Sequence, residues 1–542
     1  MERHIPRRRG GSRLSGSRAS GHQKNGCEKQ SVAHASRTVR VSNKVSTRVR
    51  CLADNRGVQP FRSVGRFAAG WLALACHAAT AEPSRIELKP CSADGIEATC
   101  GTYEVFEDRA AARGRRIPLR VVVLAAVGPE KQPDPLFVLA GGPGQGASDN
   151  AEFIARTFAD VRKQRDIVLL DQRGTGGSNA LDCNVYGTTA QGHLRDLYPP
   201  DAVRACAEEW QKHADTRFYT TDIAMADLDE VRAAMGYERL NLFGTSYGTR
   251  AAQVYMRQFP DRVRAVILKG VTPMEHAFFL PMARDAQRAL DLTFEDCAAD
   301  AACREAYPEL RENRASVLRR LGDGDVEAEV EEPESKKKVA VQIGRPGIAP
   351  TIRSLLQSVQ GAAQLPKLIN SAAAGHFGPL ATATLNIRRS FSQVLSPGMF
   401  LAVAAAEDLP LTNAEELARA SRETFLGDYY FQQVRRVSTL IPLGEMPSDY
   451  REPVRSDTPT LLISGFLDPA TPPDGGDEVA RHLPNSRHVV VRNAAHSYGG
   501  LSPCMDNIMA EFIGRGTAEG IDTSCTDAIR RPPFVLPDKP KP

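Results

Sequence analysis

Gly244-Thr245-Ser246-Tyr247-Gly248 has the form G-x-S-x-G. A serine hydroxyl is a weak nucleophile until a base takes its proton. Small residues on both sides suit a tight turn that lifts the hydroxyl clear of the backbone. A base and an orienting acid are then required. His496 lies close to the C-terminal end of the sequence, and Asp468 precedes it in Gly465-Phe466-Leu467-Asp468-Pro469. We read Ser246 as nucleophile, His496 as general base and Asp468 as the group that orients the imidazole. His276, His376, His482 and His488 lack this placement, and Asp474 and Asp477 are weaker rivals for the acid. A tetrahedral intermediate also needs two aimed donors. The backbone N–H of Tyr247 is one. Gly142, in Gly141-Gly142-Pro143-Gly144-Gln145-Gly146, supplies the other, because glycine lets a backbone N–H approach without a side chain in the way. That loop has neither G-x-G-x-x-G spacing nor a following Gly-Lys-Ser/Thr, so it is no phosphate cradle.

Such residues need elements to hold them. Apolar, β-branched runs predict strands at 117–125, 136–140, 166–170, 240–243, 265–268, 460–464 and 488–492. Helical patterns intervene at 222–235 and 250–259. Several runs are apolar nearly throughout, as parallel strands covered on both faces are. Ser246 then sits between a strand and a helix that opens at Thr249, and Asp468 and His496 each follow a strand. The chain order Ser, Asp, His is that of the α/β-hydrolase fold. The expectation is therefore a mostly parallel, doubly wound sheet with a mainly helical cap domain inserted. The core spans 82–273 and 455–531, the cap 274–454, and 532–542 forms a flexible tail. A charged run at 325–338, flanked by short apolar stretches, predicts a small solvated hairpin within the cap.

Charge is divided unevenly. Residues 1–66 hold 16 Lys/Arg and 3 Asp/Glu, whereas 82–542 hold 53 and 62. The acidic body argues against nucleic acid as a partner. The basic, Ser/Gly-rich stretch 1–61 reads as a disordered extension. Residues 62–81 read as a signal peptide, with Arg62 and Arg66, an apolar stretch and Ala79-Thr80-Ala81. The apolar stretch is shorter than the roughly 20 residues a spanning helix needs, so no stable membrane insertion is expected after its removal. Eight of the 11 cysteines lie beyond it, in four sequence-local pairs. In an oxidising compartment these suggest disulfides 91–100, 183–206, 297–303 and 504–525.

Gly141–Gly146, Asp171–Ser178 (DQRGTGGS), Gly244–Thr249, Asp468–Pro472 and His496 together resemble the prolyl and tripeptidyl aminopeptidase family of serine peptidases, in its exported tripeptidyl-like branch. The resemblance spans roughly residues 85–530. It implies a peptide substrate with a free N-terminus, no cofactor and no metal. Prolyl aminopeptidases usually have His before Gly-Gly-Pro-Gly; Ala140 stands here, which turns the reading from proline specificity toward the tripeptidyl-like branch. In that family, cap acids hold the substrate ammonium, and Glu407 and Asp408 lie in the matching segment. An esterase or other acyl hydrolase on the same three residues is the alternative.

Overall fold

The computed structural model describes residues 86–322, 324–332, 334–497 and 503–538. The expected extension and signal peptide lie outside them.

Nine strands form the central sheet: β1 (Lys89–Ala93), β2 (Ile96–Phe106), β3 (Arg116–Leu124), β4 (Leu136–Leu139), β5 (Ile167–Leu170), β6 (Leu240–Thr245), β7 (Val263–Lys269), β10 (Thr460–Gly465) and β11 (Ser486–Val491). Their order is β1-β2-β3-β5-β4-β6-β7-β10-β11. The pairings among β5, β4, β6, β7, β10 and β11 are parallel, and β1, β2 and β3 join antiparallel. The β1–β2 hairpin has no counterpart in the sequence reading. Its strands are largely half-exposed, so they show neither an apolar run nor clean alternation.

The inner strands are mostly apolar, and β4 and β5 wholly so, because both sheet faces are covered. In β7, Val266 and Leu268 enter one buried cluster, with helices α1 (Thr221–Ala234) and α2 (Tyr247–Gln258). Ala265 and Ile267 enter another, with helix α6 (Cys504–Arg515). Between β7 and β10 the chain leaves the sheet and forms the cap. It includes helices α3 (Phe279–Ala299), α4 (Arg345–Leu356) and α5 (Gly378–Val394) and the antiparallel hairpin β8 (Val326–Glu331)–β9 (Lys338–Ile343). Its interior is a third apolar cluster. The charged run therefore forms a hairpin, as expected.

All four cysteine pairs are bonded as expected. Among the described residues no single helix is long and apolar enough to cross a membrane.

Candidate active site

Ser246 occupies the turn between β6 and α2 with φ 55° and ψ −122°. A non-glycine residue adopts this backbone only where its surroundings enforce it. Here its N–H donates to Lys269 O at 2.9 Å, and its carbonyl accepts from Thr249 N and Thr249 Oγ1 at 2.9 and 2.7 Å. The flanking glycines are required by close approach. A Cβ on Gly244 would lie 2.3 Å from Gly248 O, and one on Gly248 would lie 2.1 Å from Leu139 O. The helix opens at Tyr247, two residues before the expected Thr249. Tyr247 N–H is thus among the first helical donors, which have no intrahelical acceptor, at the positive end of the helix dipole.

Asp468 is fully buried in the turn after β10. Its Oδ1 accepts from Ala470 N (2.7 Å) and Thr471 N (2.9 Å). Its Oδ2 accepts from Thr471 Oγ1 at 2.8 Å and lies 2.7 Å from His496 Nδ1. Burial alone would raise its pKa, but His496 and these donors outweigh it and hold the carboxyl below the usual range. An ionised carboxylate can only accept, so Nδ1 carries the proton and Nε2 keeps its lone pair. His488 has both ring nitrogens occupied elsewhere, by Asp477 Oδ1 (2.8 Å) and Ser464 Oγ (2.9 Å).

Ser246, His496, Tyr247, Gly142 and Asp408 line one cavity of about 520 Å³. Gly142 and Gly144 have φ of 109° and 112°, a region open to glycine. A Cβ on Gly142 would meet Gly144 N at 2.7 Å and the Leu395 side chain of the cap at 3.0 Å. Ser396 N–H donates to Gly144 O at 2.9 Å, so the cap is stitched onto this loop. Lys269, at the end of β7, also faces the cavity, and burial lowers its pKa to about 8.

The expected substrate acids divide. Glu407 is not in the cavity wall. It is fully buried, accepting from Thr221 N (2.7 Å), Thr221 Oγ1 (3.0 Å) and Tyr450 OH, and burial raises its pKa. This corrects the expectation of direct contact with substrate: its oxygens are spent inside the protein. Asp408 does face the cavity, but two arginines hold it. Arg250 Nη1 and Nη2 donate to it at 3.0 and 3.1 Å, and Arg451 Nη2 at 2.9 Å. Burial would raise Asp408, yet these guanidinium groups hold it below the usual carboxylate range. Asp285 and Asp474, which the sequence reading did not single out for substrate, also line the cavity.

The Asp171–Ser178 loop is support. Asp171 accepts from Ser148 N, Ser148 Oγ and Gly177 N, all at 2.8–2.9 Å, and buried Arg173 pairs with Asp227 at 2.6 Å.

A family profile described as "alpha/beta hydrolase fold" matches residues 134–322, and one described as "TAP-like protein" matches 426–525. The chain is 25% identical over 501 residues to the tripeptidyl aminopeptidase of Streptomyces lividans, covering 83% of this chain and 88% of that one. It is 29% identical over 245 residues to the serine protease Hip1 of Mycobacterium tuberculosis (40% and 46%). It is 30% identical over 137 residues to the proline iminopeptidase of Xylella fastidiosa (25% and 32%). The fold and these matches define the chain as a serine hydrolase of the α/β-hydrolase fold, and a peptidase. Within that class it is similar to a tripeptidyl aminopeptidase over most of its length, and its C-terminal part carries the TAP-like profile.

Proposed function

We propose that the chain is an exported aminopeptidase that releases short peptides or single residues from a free N-terminus through an acyl-enzyme at Ser246. The observation that supports it most directly is the buried Asp468–His496 pair opening on the same cavity as the strained Ser246 turn. Ser246 Oγ attacks the scissile carbonyl and gives its proton to His496 Nε2. The oxyanion is met by the N–H groups of Gly142 and Tyr247. His496 then protonates the departing amine, and water, deprotonated by the same imidazole, releases the acyl group. Asp468 holds Nδ1–H throughout. The substrate ammonium is received by carboxylates of the cavity wall, which carries Asp408, Asp285 and Asp474. The four disulfides and the signal-like stretch 62–81 support export.

Mono-, di- and tripeptidyl anilides, each with a free or acetylated N-terminus, and a nitrophenyl ester test this on the purified chain and on Ser246→Ala. Cleavage confined to free-amine peptides and abolished in Ser246→Ala is expected, and it gives the step length. Ester cleavage without peptide turnover would make the protein an acyl hydrolase of another kind. Activity surviving in Ser246→Ala would remove Ser246 as nucleophile.

A further inference from the structure

Six arginines among the described residues are buried: Arg165, Arg173, Arg232, Arg250, Arg353 and Arg388. A buried guanidinium is normally matched by a carboxylate, because removing it from water is costly. The first four obey this, pairing with Asp134, Asp227, Asp229 and Asp408. Arg353 and Arg388 do not. No carboxylate lies within 4.0 Å of either among the described residues. Both of these exceptions line the cavity that holds Ser246.

Arg353 stands on α4 and Arg388 on α5, with 7% and 3% exposure. Thr351 Oγ1 donates to Thr384 Oγ1 at 2.9 Å and ties the two helices together close to both arginines. Arg353 lies 5.5 Å over the Tyr430 ring and Arg388 5.4 Å over the Tyr186 ring. An aromatic face recovers only part of what a carboxylate provides. Arg388 also donates to Tyr186 OH (3.2 Å) and Pro346 O (3.4 Å). The Arg353 side chain makes no hydrogen bond among the described residues, and its Nε is buried without a partner. A fork of donors, more than nine-tenths buried and set in a cavity wall, is a ready receptor for a carboxylate.

We propose that Arg353 and Arg388 form a subsite for the side-chain carboxylate of Asp or Glu in the part of the peptide that acylates Ser246. This rests on the aminopeptidase reading above. An enzyme that removes residues from the N-terminus keeps the short acyl piece under the cap, where both arginines stand, and lets the long remainder run out to solvent. The enzyme therefore prefers peptides carrying an acid among the residues it releases.

Free-amine tripeptidyl anilides with Glu or Gln at the first, second or third position distinguish the outcomes, because an anilide has no α-carboxylate. At one position, kcat/KM for Glu should exceed that for Gln by about 10- to 100-fold, the worth of one charge-assisted hydrogen bond. Arg353→Met should bring that ratio close to one by slowing the Glu substrate far more than the Gln substrate, whereas Arg353→Lys should keep part of the preference. Equal rates for Glu and Gln at all three positions would overturn the proposal. So would an Arg353→Met variant that slows both substrates alike, which is the mark of a structural role. Faster cleavage of peptides with a free C-terminus than of their C-terminal amides, with no Glu preference among the anilides, would reassign the subsite to an α-carboxylate and overturn the side-chain reading. Calorimetric binding of the same Glu and Gln peptides to Ser246→Ala separates this from failure of the aminopeptidase reading. Tighter Glu binding, lost in Ser246→Ala/Arg353→Met, upholds the subsite even where no peptide is turned over; equal binding overturns it.

Discussion

Asp468→Asn isolates the role assigned to the carboxylate, because the structure dictates how the amide must sit. Oδ1 of Asp468 faces two backbone donors, Ala470 N and Thr471 N. The asparagine carbonyl has to take that place, since an NH2 group there would confront two N–H groups. Nδ2 is then left facing Thr471 Oγ1 and His496 Nδ1, where Oδ2 now lies at 2.8 and 2.7 Å. A donor at that position forces Nδ1 to accept, which moves the imidazole proton to Nε2, the atom that must receive the proton from Ser246. The wrong tautomer in a Ser–His–Asp site lowers kcat by about 10⁴-fold, or roughly 5 kcal/mol of barrier. A nitrophenyl ester is the right substrate, because it reports acyl transfer without depending on peptide preference. The fold should survive, but its acid response should change. The Asp468 pKa is depressed in the fold, so its stabilisation is present above about pH 4 and is lost as pH falls through the lower folded value. Asp468→Asn should therefore show a shallower loss of stability in acid. Ester hydrolysis within about tenfold of the wild type would refute the assignment of Asp468.

Gly270→Ala acts on the same imidazole from another side. Gly270 has φ 66°, and a Cβ there would lie 3.0 Å from Thr471 Oγ1 and 3.1 Å from His496 Cε1. The expected result is a loss of about 1–2 kcal/mol of stability from the left-handed backbone, with kcat down about tenfold and KM little changed; an unchanged kcat would show that the His496 position is not critical. Burial, then the charge of Asp171, raises the Asp149 pKa to about 6. The protonated form is favoured in the fold, so stability from this group falls as pH rises from about 4 to about 6. Asp149→Asn should flatten that slope and raise the urea midpoint at pH 7 relative to the wild type; identical midpoints at pH 4.5 and 7 in both proteins would contradict it. Reduction should lower the melting temperature, since Cys183–Cys206 and Cys504–Cys525 close loops of 23 and 21 residues, each worth about 3 kcal/mol; an unchanged value after full reduction would show that they contribute nothing.

The residues proposed to react are legible in the sequence because their signals are local. Ser246 is flanked by glycines that a strand–turn–helix turn demands, and Asp468 and His496 each follow an apolar strand. The cap acids were legible only as a segment. What Glu407 and Asp408 do depends on Thr221, Arg250, Tyr450 and Arg451, which are distant in sequence and reach them through folding. Arg353 and Arg388 gave no signal at all, since an arginine on a helix reads as a solvated residue until its neighbours are known. The β1–β2 hairpin was missed because a half-exposed antiparallel edge does not produce an apolar run.

Leu395 and Ser396 reach from the cap onto Gly142 and Gly144. The cap is therefore not an exchangeable module. A graft that replaced the cap while keeping Gly141–Gly146 would strip the loop of a carbonyl partner and a packing surface, and the chimera would lose rate before it lost substrate recognition. Cap and loop have to be transplanted as one unit, and variation in either is constrained by the other.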